Sequence, residues 1–104
     1  MLPTVVKQRL PISREQLSGF CRRHHIRWLA LFGSILRDDY RPDSDINILV
    51  EFEAGVPIGL LAFARAQREL SGLFQRPVDL ATPAGLKPLI KQDILNSAEV
   101  IYAT

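Results

Sequence analysis

The stretch that decides the fold is LFGSILRDDYRPDSDINILVEF, residues 31–52, in which two apolar runs flank a polar loop. The first run, residues 26–32, is aromatic and aliphatic and stops at Gly33, which predicts a buried strand. In the second run, residues 45–52, apolar and polar residues alternate with the two-residue period of a strand that buries one face. Two strands joined through a glycine and a polar loop are therefore expected here.

The segments on either side alternate helix and strand. Ser13 and Gln16 have the spacing of a capping box, so a helix is expected to begin there. The other elements predicted from periodicity and from Gly and Pro positions are one or two helical turns over residues 34–39, a helix over 58–74, a short strand over 77–81, a helix over 86–95 and an edge strand over 100–102. This order predicts an α/β (α+β) fold, a small mixed sheet with helices packed on it, as one domain spanning residues 1–104.

The helix expected over residues 58–74 carries an apolar stripe, which predicts the face that packs on the sheet. The members of this stripe are Leu60, Phe63, Leu70, Leu73 and Phe74. In the helix that follows, Pro88 is tolerated only within the first turn, because proline lacks the amide hydrogen that a helix interior requires.

Composition excludes several classes of function. The chain has 104 residues, 47% of them hydrophobic and 23% charged, as in an ordinary globular domain. Its formal charge of +2 is too small to favour nucleic acid or a membrane surface as a partner. No apolar run approaches the length of a membrane span and no signal-peptide pattern is present, so a cytoplasmic protein is expected. Cys21 stands alone, which excludes an internal disulfide and favours a buried thiol, and the basic segment 22–27 is interpreted as a solvated helix end.

Gly33 and Ser34 lie at the junction between the first predicted strand and the turn after it. Glycine lets a ligand approach the backbone closely, and the amide groups that open a helical turn, together with a serine hydroxyl, suit phosphate oxygens. The same dipeptide is common in plain turns, so the motif by itself leaves both interpretations open.

Asp45 and Asn47 stand two residues apart at the head of the second strand. Residues with this spacing face the same side, with Cα atoms about 6.6 Å apart, so their oxygens can converge on one metal ion. Mg²⁺ takes hard oxygen ligands, few of them from protein and the remainder from phosphates and water. The alternative is that Asp45 merely ends the turn and Asn47 faces solvent.

Asp79 stands between two apolar residues on the short predicted strand, and its side chain is expected to point away from the face that they bury. Because Asp is disfavoured in strands, its presence requires a reason. One reason is an edge position in water. The other is a place opposite Asp45 on a neighbouring strand, where it would complete a metal site.

Together these residues resemble a known family. Residues 31–52 look like the signature of the minimal nucleotidyltransferases, the MNT group of the DNA polymerase beta superfamily. That signature is Gly-Ser, a spacer of about ten residues, Asp-x-Asp, and a third Asp on a later strand. Residues 78–83 are similar to the segment that carries the third Asp, and the resemblance extends over most of the chain from Ser13 onward.

The resemblance implies a polymerase-beta-like nucleotidyltransferase fold and a site for a nucleoside triphosphate, foremost ATP, held through Mg²⁺ or Mn²⁺. Carried over to this chain, Gly33 and Ser34 would bind phosphates, and Asp45, Asn47 and Asp79 would be the catalytic metal ligands. Arg37 could also reach a phosphate, although a surface position suits it equally well. All of these roles are expected from similarity to the family.

The resemblance also implies a reaction and a partner. Members of this kind transfer a nucleotidyl group to a hydroxyl, and stand-alone members resemble antitoxins that modify a HEPN-type ribonuclease toxin on a tyrosine and silence it. The present chain has no room for the further domains with which larger polymerases position nucleic acid, so the acceptor is expected to be another protein or a small molecule. Tyr40, Leu73 and Phe74 are candidates for the interface, and ordinary core positions suit them equally.

The chain departs from the family pattern at Asn47, where the family has the second Asp of the pair. An asparagine oxygen can still bind Mg²⁺, but it brings no negative charge and accepts no proton as a carboxylate does. Since two-metal sites rely on shared anionic ligands, transfer is expected to be slowed or lost. The alternative function is therefore an impaired homologue that neutralises its partner by binding alone.

Overall fold

The computed structural model describes residues 10–37, 41 and 43–104, and within them the chain forms three α-helices, two short 3-10 helices and four strands. In chain order these are α1 (Arg14–Arg23), β1 (Ile26–Phe32), a 3-10 helix (Gly33–Leu36), β2 (Ile46–Phe52), α2 (Leu60–Phe74), β3 (Val78–Ala81), a second 3-10 helix (Pro83–Gly85), α3 (Pro88–Ser97) and β4 (Glu99–Ala103). The predicted mixed fold and element order are confirmed. Of the helical turns expected over 34–39, the part up to Leu36 is a 3-10 helix, whereas Asp38 and Asp39 lie outside the described residues.

The four strands form one mixed sheet in the order β3-β2-β1-β4. β1 is antiparallel to both β2 and β4, whereas β2 and β3 are parallel and are connected through α2. Because of these directions, the end of β1 and the beginnings of β2 and β3 lie at the same end of the sheet. This end receives Gly33, Asn47 and Asp79.

The capping box predicted at the start of α1 is present. The amide of Gln16 donates to Ser13 Oγ at 3.1 Å, and the amide of Ser13 donates to Gln16 Oε1 at 2.9 Å. The helix buries Leu17, Phe20 and Cys21 on its inner face. Burial raises the pKa of the Cys21 thiol to about 12, because the thiolate would lose its solvation. Cys21 is therefore a core residue, as expected.

The basic segment at the end of α1 does more than face solvent. Arg22 and Arg23 are exposed in the last turn, as expected of a solvated helix end. Arg23 also forms an ion pair with Glu69 of α2, and His24 Nε2 lies 3.1 Å from the other oxygen of the same carboxylate. The His24 ring lies against Phe20, with ring centroids 4.8 Å apart. These contacts tie α1 to α2.

The described core is one apolar cluster built mainly from β1, β2, α1 and α2. Its fully buried large side chains are Leu17, Phe20, Ile26, Leu29, Leu31, Ile35, Ile46, Ile48, Leu70 and Phe74. Burying one such side chain stabilises the fold by about 1.5–3 kcal/mol. The inner face of β2 is thus held firmly, which fixes the outward direction of Asn47 between Ile46 and Ile48.

One prediction about α2 is wrong. Leu60 was expected on the buried stripe but is 86% exposed. The buried positions of α2 are Ala66, Leu70 and Phe74, four residues apart, and this row continues back along the helix to Ala62 rather than Leu60.

Two of the interface candidates, Leu73 and Phe74, lie on α2. For both residues the structure shows the core alternative: Phe74 is completely buried, and Leu73 is partly buried and packs against the core. The third candidate, Tyr40, lies outside the described residues. Among the residues that the structure describes, the large apolar side chains with the greatest exposure are Leu60, Leu61 and Leu89, at 86%, 76% and 94%.

The C-terminal elements follow the prediction. Pro88 is in the first turn of α3, where its missing amide hydrogen costs nothing. No residue of α3 is buried. β4 pairs with β1 and is an edge strand. Among the helices of residues 10–37 and 43–104, none combines the length and apolarity required to cross a membrane.

Candidate functional site

The parallel pairing of β2 with β3 determines which candidate residues are neighbours. Ile46 pairs with Val78 at the start of both strands, so Asn47 lies directly opposite Asp79. The sequence analysis considered Asp45 for the position opposite Asp79, and the register corrects this by two residues. Asn47 faces the side of the sheet on which Asp79 lies, and Asp45 immediately precedes β2, where continued strand alternation predicts the same side.

Solvent reaches both carboxylates of this group. Asp45 and Asp79 are exposed, and Asn47 between them is half-buried. With the residues that the structure describes, neither carboxylate forms an ion pair. Two negative charges therefore lie on one side of the sheet without a protein cation from the described chain to compensate them.

Gly33, at the end of β1, lies against the Asn47 side chain of this group. Phe32 pairs with Asn47 across the antiparallel ladder, which brings the next residue, Gly33, against the Asn47 side chain. A Cβ at Gly33 would lie 2.6 Å from Asn47 Nδ2, and the backbone there has a φ of +82°. Both observations favour glycine, the first because a methyl group would displace the end of the Asn47 side chain and the second because side chains disfavour this conformation.

The residues after Gly33 form a single 3-10 turn. Ser34 is half-buried, and its carbonyl accepts the amide of Arg37 at 3.0 Å. Arg37 is exposed at the C-terminal end of this turn. The structure therefore brings Gly33 next to Asn47, whereas the roles expected of Ser34 and Arg37 toward phosphate remain predictions.

The donor set suits a hard divalent cation. Asp45 and Asp79 offer carboxylate oxygens, and Asn47 offers an amide oxygen, which lies farther from Gly33 than its nitrogen does. Mg²⁺ and Mn²⁺ prefer such oxygens and complete their shell with water and phosphate. No group of three Asp, Glu, His or Cys side chains suited to a metal occurs in the described part of the chain. The residues fit one cation held by two negative charges.

Sequence reasoning missed Arg76, which lies just before β3. Its Nη2 donates to the carbonyl oxygen of Ser44 and, at 3.2 Å, to that of Arg41. These carbonyls belong to the turn that leads into Asp45. No local pattern could have indicated the contact, because more than 30 residues separate the partners, as the spacings of 32 and 35 show.

Two polar residues of α2 were also missed. The amide of Val78 donates to Ser71 Oγ at 3.0 Å, and the amide of Leu80 donates to Gln67 Oε1 at 2.9 Å. These amides belong to the edge strand β3, on either side of Asp79. The two side chains therefore satisfy outward-facing amide groups of an edge strand and hold the segment that carries Asp79.

Comparison with known proteins identifies the family. The model of the nucleotidyltransferase domain matches residues 13–101, which include every residue of this group. The chain belongs to the nucleotidyltransferase domain family. The resemblance drawn from residues 31–52 and 78–83 is thereby confirmed, and the fold seen here is the nucleotidyltransferase fold.

Individual relatives agree with this nucleotidyltransferase assignment. Protein adenylyltransferase MntA of Thermococcus cleftensis is 38% identical over 80 residues, which cover 77% of this chain and 77% of that protein. A solved structure assigned as a minimal nucleotidyltransferase is 38% identical, with a TM-score of 0.65 and coverage of 85% of this chain and 86% of that one. A toxin–antitoxin structure with AMP-PNP has a TM-score of 0.69 over 89% of this chain and 75% of its own, but at 18% identity it is similar in fold alone.

Proposed function

We propose that this nucleotidyltransferase-family protein binds ATP together with Mg²⁺ or Mn²⁺ and transfers AMP to a hydroxyl group of a partner protein. The observation that carries the proposal is that Gly33 lies against Asn47 and that Asn47 pairs with Asp79. All three residues belong to the segment that matches the family. The name of the similar Thermococcus cleftensis protein, an adenylyltransferase that acts on protein, supports the choice of AMP and of a protein acceptor.

Each residue has a distinct part in the proposed reaction. Asp45, Asn47 and Asp79 would hold the cation, which neutralises negative charge on the phosphates when it is bound. Gly33 and Ser34 would take the triphosphate at the end of β1, where no Cβ obstructs its approach. The acceptor oxygen then attacks the α-phosphorus, the bond from that phosphorus to the β-phosphate oxygen breaks, and pyrophosphate leaves while the hydroxyl proton passes to solvent.

The proposed partner is a HEPN-type toxin, which the protein would silence by modifying a tyrosine. Similarity in fold to a toxin–antitoxin structure with AMP-PNP supports a toxin as the partner, and the HEPN type and the tyrosine follow from the family resemblance of residues 31–52. The exposed leucines Leu60, Leu61 and Leu89 offer apolar surface of the kind that partner proteins cover.

The test is incorporation of label from α-labelled ATP into a HEPN protein encoded by an adjacent gene, with Mg²⁺ and with EDTA. We expect label on the HEPN protein that depends on the cation and disappears in Asp79→Asn. Glu51→Gln, which makes the same carboxylate-to-amide change at the opposite end of β2, should label normally. Equal labelling by both variants would contradict the proposed site.

The second candidate function is neutralisation by binding alone, and Asn47 favours it. With only two carboxylates beside the amide, the site holds one negative charge less than the family pattern provides. In this case the present protein gives no label but still inhibits the toxin. Asn47→Asp should then gain transfer, and this gain would distinguish an impaired enzyme from a protein whose site lies elsewhere.

A further inference from the structure

We propose that Arg76 is a positioning residue for the cation site, an inference that rests on the proposed function. Arg76 belongs to the connection between α2 and β3 and is half-buried. Its Nη2 donates to the carbonyl oxygens of Arg41 and Ser44. The second of these carbonyls is on the residue that precedes Asp45, so one guanidinium spans from the start of β3 to the entry of β2.

The turn that leads into Asp45 has little other support from the described residues. The amide of Ser44 donates to the carbonyl of Arg41 at 3.0 Å, which closes the turn on itself. Past Asp45, the amide of Ile46 donates to the carbonyl of Pro77 at 2.9 Å, which is the first contact of this segment with β3. Asp45 lies between these two bonds. The bond to Pro77 holds the chain on the C-terminal side of Asp45, and the bond from Arg76 to the Ser44 carbonyl holds it on the N-terminal side.

Asp79 is held by separate contacts. The amides on either side of it bond to Ser71 and Gln67 of α2, not to Arg76. Loss of the guanidinium should therefore release Asp45 while Asp79 stays in place. The separation between the two carboxylates would then vary, and a cation held by both would bind less tightly.

The size of the effect follows from the way metal sites depend on groups behind the ligands. Replacing a residue that orients a ligand lowers metal affinity by about 10–100-fold. Arg76 acts through backbone carbonyls rather than on the Asp45 side chain itself, so we place its effect at the lower end, about tenfold. Arginine suits the task because its planar group presents several donors in fixed directions, which lysine does not.

The experiment measures the Mn²⁺ affinity of the nucleotide-free protein, by electron paramagnetic resonance of free Mn²⁺, for the full chain and four variants; ATP is left out because it binds Mn²⁺ itself. Arg76→Ala should lose about tenfold in affinity, and Arg76→Lys should recover part of the loss because it keeps one donor group. The matched control is Arg23→Ala, which removes an arginine that also makes a tertiary contact, to Glu69, away from the site. Asp79→Asn reports whether the site itself exists.

Amide hydrogen exchange of the metal-free protein supplies a readout that is independent of the cation. In Arg76→Ala the Ser44 amide should exchange faster, whereas the Val78 and Leu80 amides should exchange as in the parent. A general loss of stability would instead accelerate all three. If Arg76→Ala does not fold, Arg76→Met, which keeps much of the aliphatic stem and donates no hydrogen bond, is measured in its place.

The outcomes separate the two proposals. Weaker Mn²⁺ binding in Arg76→Ala than in Arg23→Ala, with accelerated exchange confined to Ser44, supports the positioning role. Parent-like binding in Arg76→Ala, or an equal loss in Arg23→Ala, overturns that role and leaves the site intact. No Mn²⁺ binding by the parent, or binding that Asp79→Asn leaves unchanged, overturns the proposed site and the role of Arg76 together.

Discussion

Strand β2 carries acidic residues at both ends, and their surroundings differ. Past its C-terminal end, Glu53 lies 3.8 Å from His25, and within the strand Glu51 accepts a hydrogen bond from Arg27 Nε at 2.6 Å. Both partners come from the basic segment around β1. At this end the Arg27 guanidinium compensates the charge of Glu51, in an exposed ion pair of the kind that contributes little to stability.

The N-terminal end of β2 has acids without such partners. Asp45 and Asp79 make no ion pair with the described residues, and an uncharged amide lies between them. The same strand therefore shows that acidic residues in this fold can be paired internally, and that within residues 10–37, 41 and 43–104 no cation pairs with those beside Gly33. A cation from solution would compensate them, and this is the difference between the two ends of β2 that can be tested.

The largest expected effect is on nucleotide binding. Asp79→Asn should weaken Mg²⁺-dependent ATP binding by about tenfold or more, because one of two anionic ligands is lost. Glu51→Gln should leave ATP binding as in the parent, since its carboxylate already has an arginine partner. Isothermal titration calorimetry with Mg²⁺ and with EDTA measures both. Equal losses of ATP affinity in Asp79→Asn and Glu51→Gln would contradict the proposed difference between the two ends of β2.

Gly33→Ala comes next, with Gly55→Ala as its matched control. Both glycines have a φ of +82°, but a Cβ at Gly55 would meet nothing within 4 Å, whereas at Gly33 it would meet Asn47. The shared backbone strain should lower the free energy of unfolding by about 1–2 kcal/mol in each variant. Only Gly33→Ala should also lose ATP binding, because the end of the Asn47 side chain must turn away.

Urea unfolding and ATP titration of the two alanine variants test this prediction. Normal ATP binding by Gly33→Ala would show that the position of Asn47 does not matter to the site. Loss of binding in Gly55→Ala would show that strain alone is responsible. Either result would contradict the role assigned to the close approach of Gly33 and Asn47.

Asn47→Asp should change stability in opposite directions with and without Mg²⁺. In EDTA the new carboxylate lies directly opposite Asp79, and like charges in this arrangement destabilise by about 0.2–1 kcal/mol. With Mg²⁺ and ATP the third anionic ligand should raise the melting temperature above that of the parent. Asn96→Asp, on exposed α3, adds the same charge elsewhere and should not respond to Mg²⁺. Destabilisation under both conditions would contradict the placement of a cation here.

Local patterns predicted the framework of this site. The alternation of residues 45–52 and the apolar run of residues 26–32 identified both central strands, because burial on one or both faces leaves a direct trace in the sequence. The position of Asp79 between Val78 and Leu80 likewise gave its outward direction correctly. These predictions needed only the two-residue period of a strand.

Pairings between distant segments could not be predicted in the same way. The register that places Asn47 opposite Asp79 depends on where β3 meets β2, and strand sequences alone leave a shift of two residues unresolved because both registers keep the same faces buried. The contacts of Arg76 and Glu69 likewise cross between elements far apart in the chain. Leu60 was misplaced because a stripe drawn through large apolar side chains omits small ones such as Ala66, which lies on the buried row of α2.

The smallest expected effect concerns the compensated acids and is a dependence of stability on pH. Burial by itself would raise the pKa of Glu69, but hydrogen bonds from Arg23 and His24, together with their charges, outweigh it and lower the pKa below the ordinary 4.5. A carboxyl whose pKa is lower in the folded protein than in the unfolded chain stabilises the fold above its ordinary pKa. This stabilisation is lost as the pH falls through the folded value.

Glu69→Gln removes this dependence and should therefore lose less stability than the parent on acidification. Because the Glu69 side chain is 36% exposed and Arg23 is 59% exposed, solvent screens the pair. We expect a difference of about 0.5 kcal/mol between the two proteins, the size typical of such pairs. Urea unfolding from neutral pH down to about pH 3 measures it. Glu99→Gln, on the exposed edge strand, should show the same dependence of unfolding free energy on pH as the parent. If Glu69→Gln also shows the parent's dependence, the α1–α2 contact does not depend on the charge of Glu69.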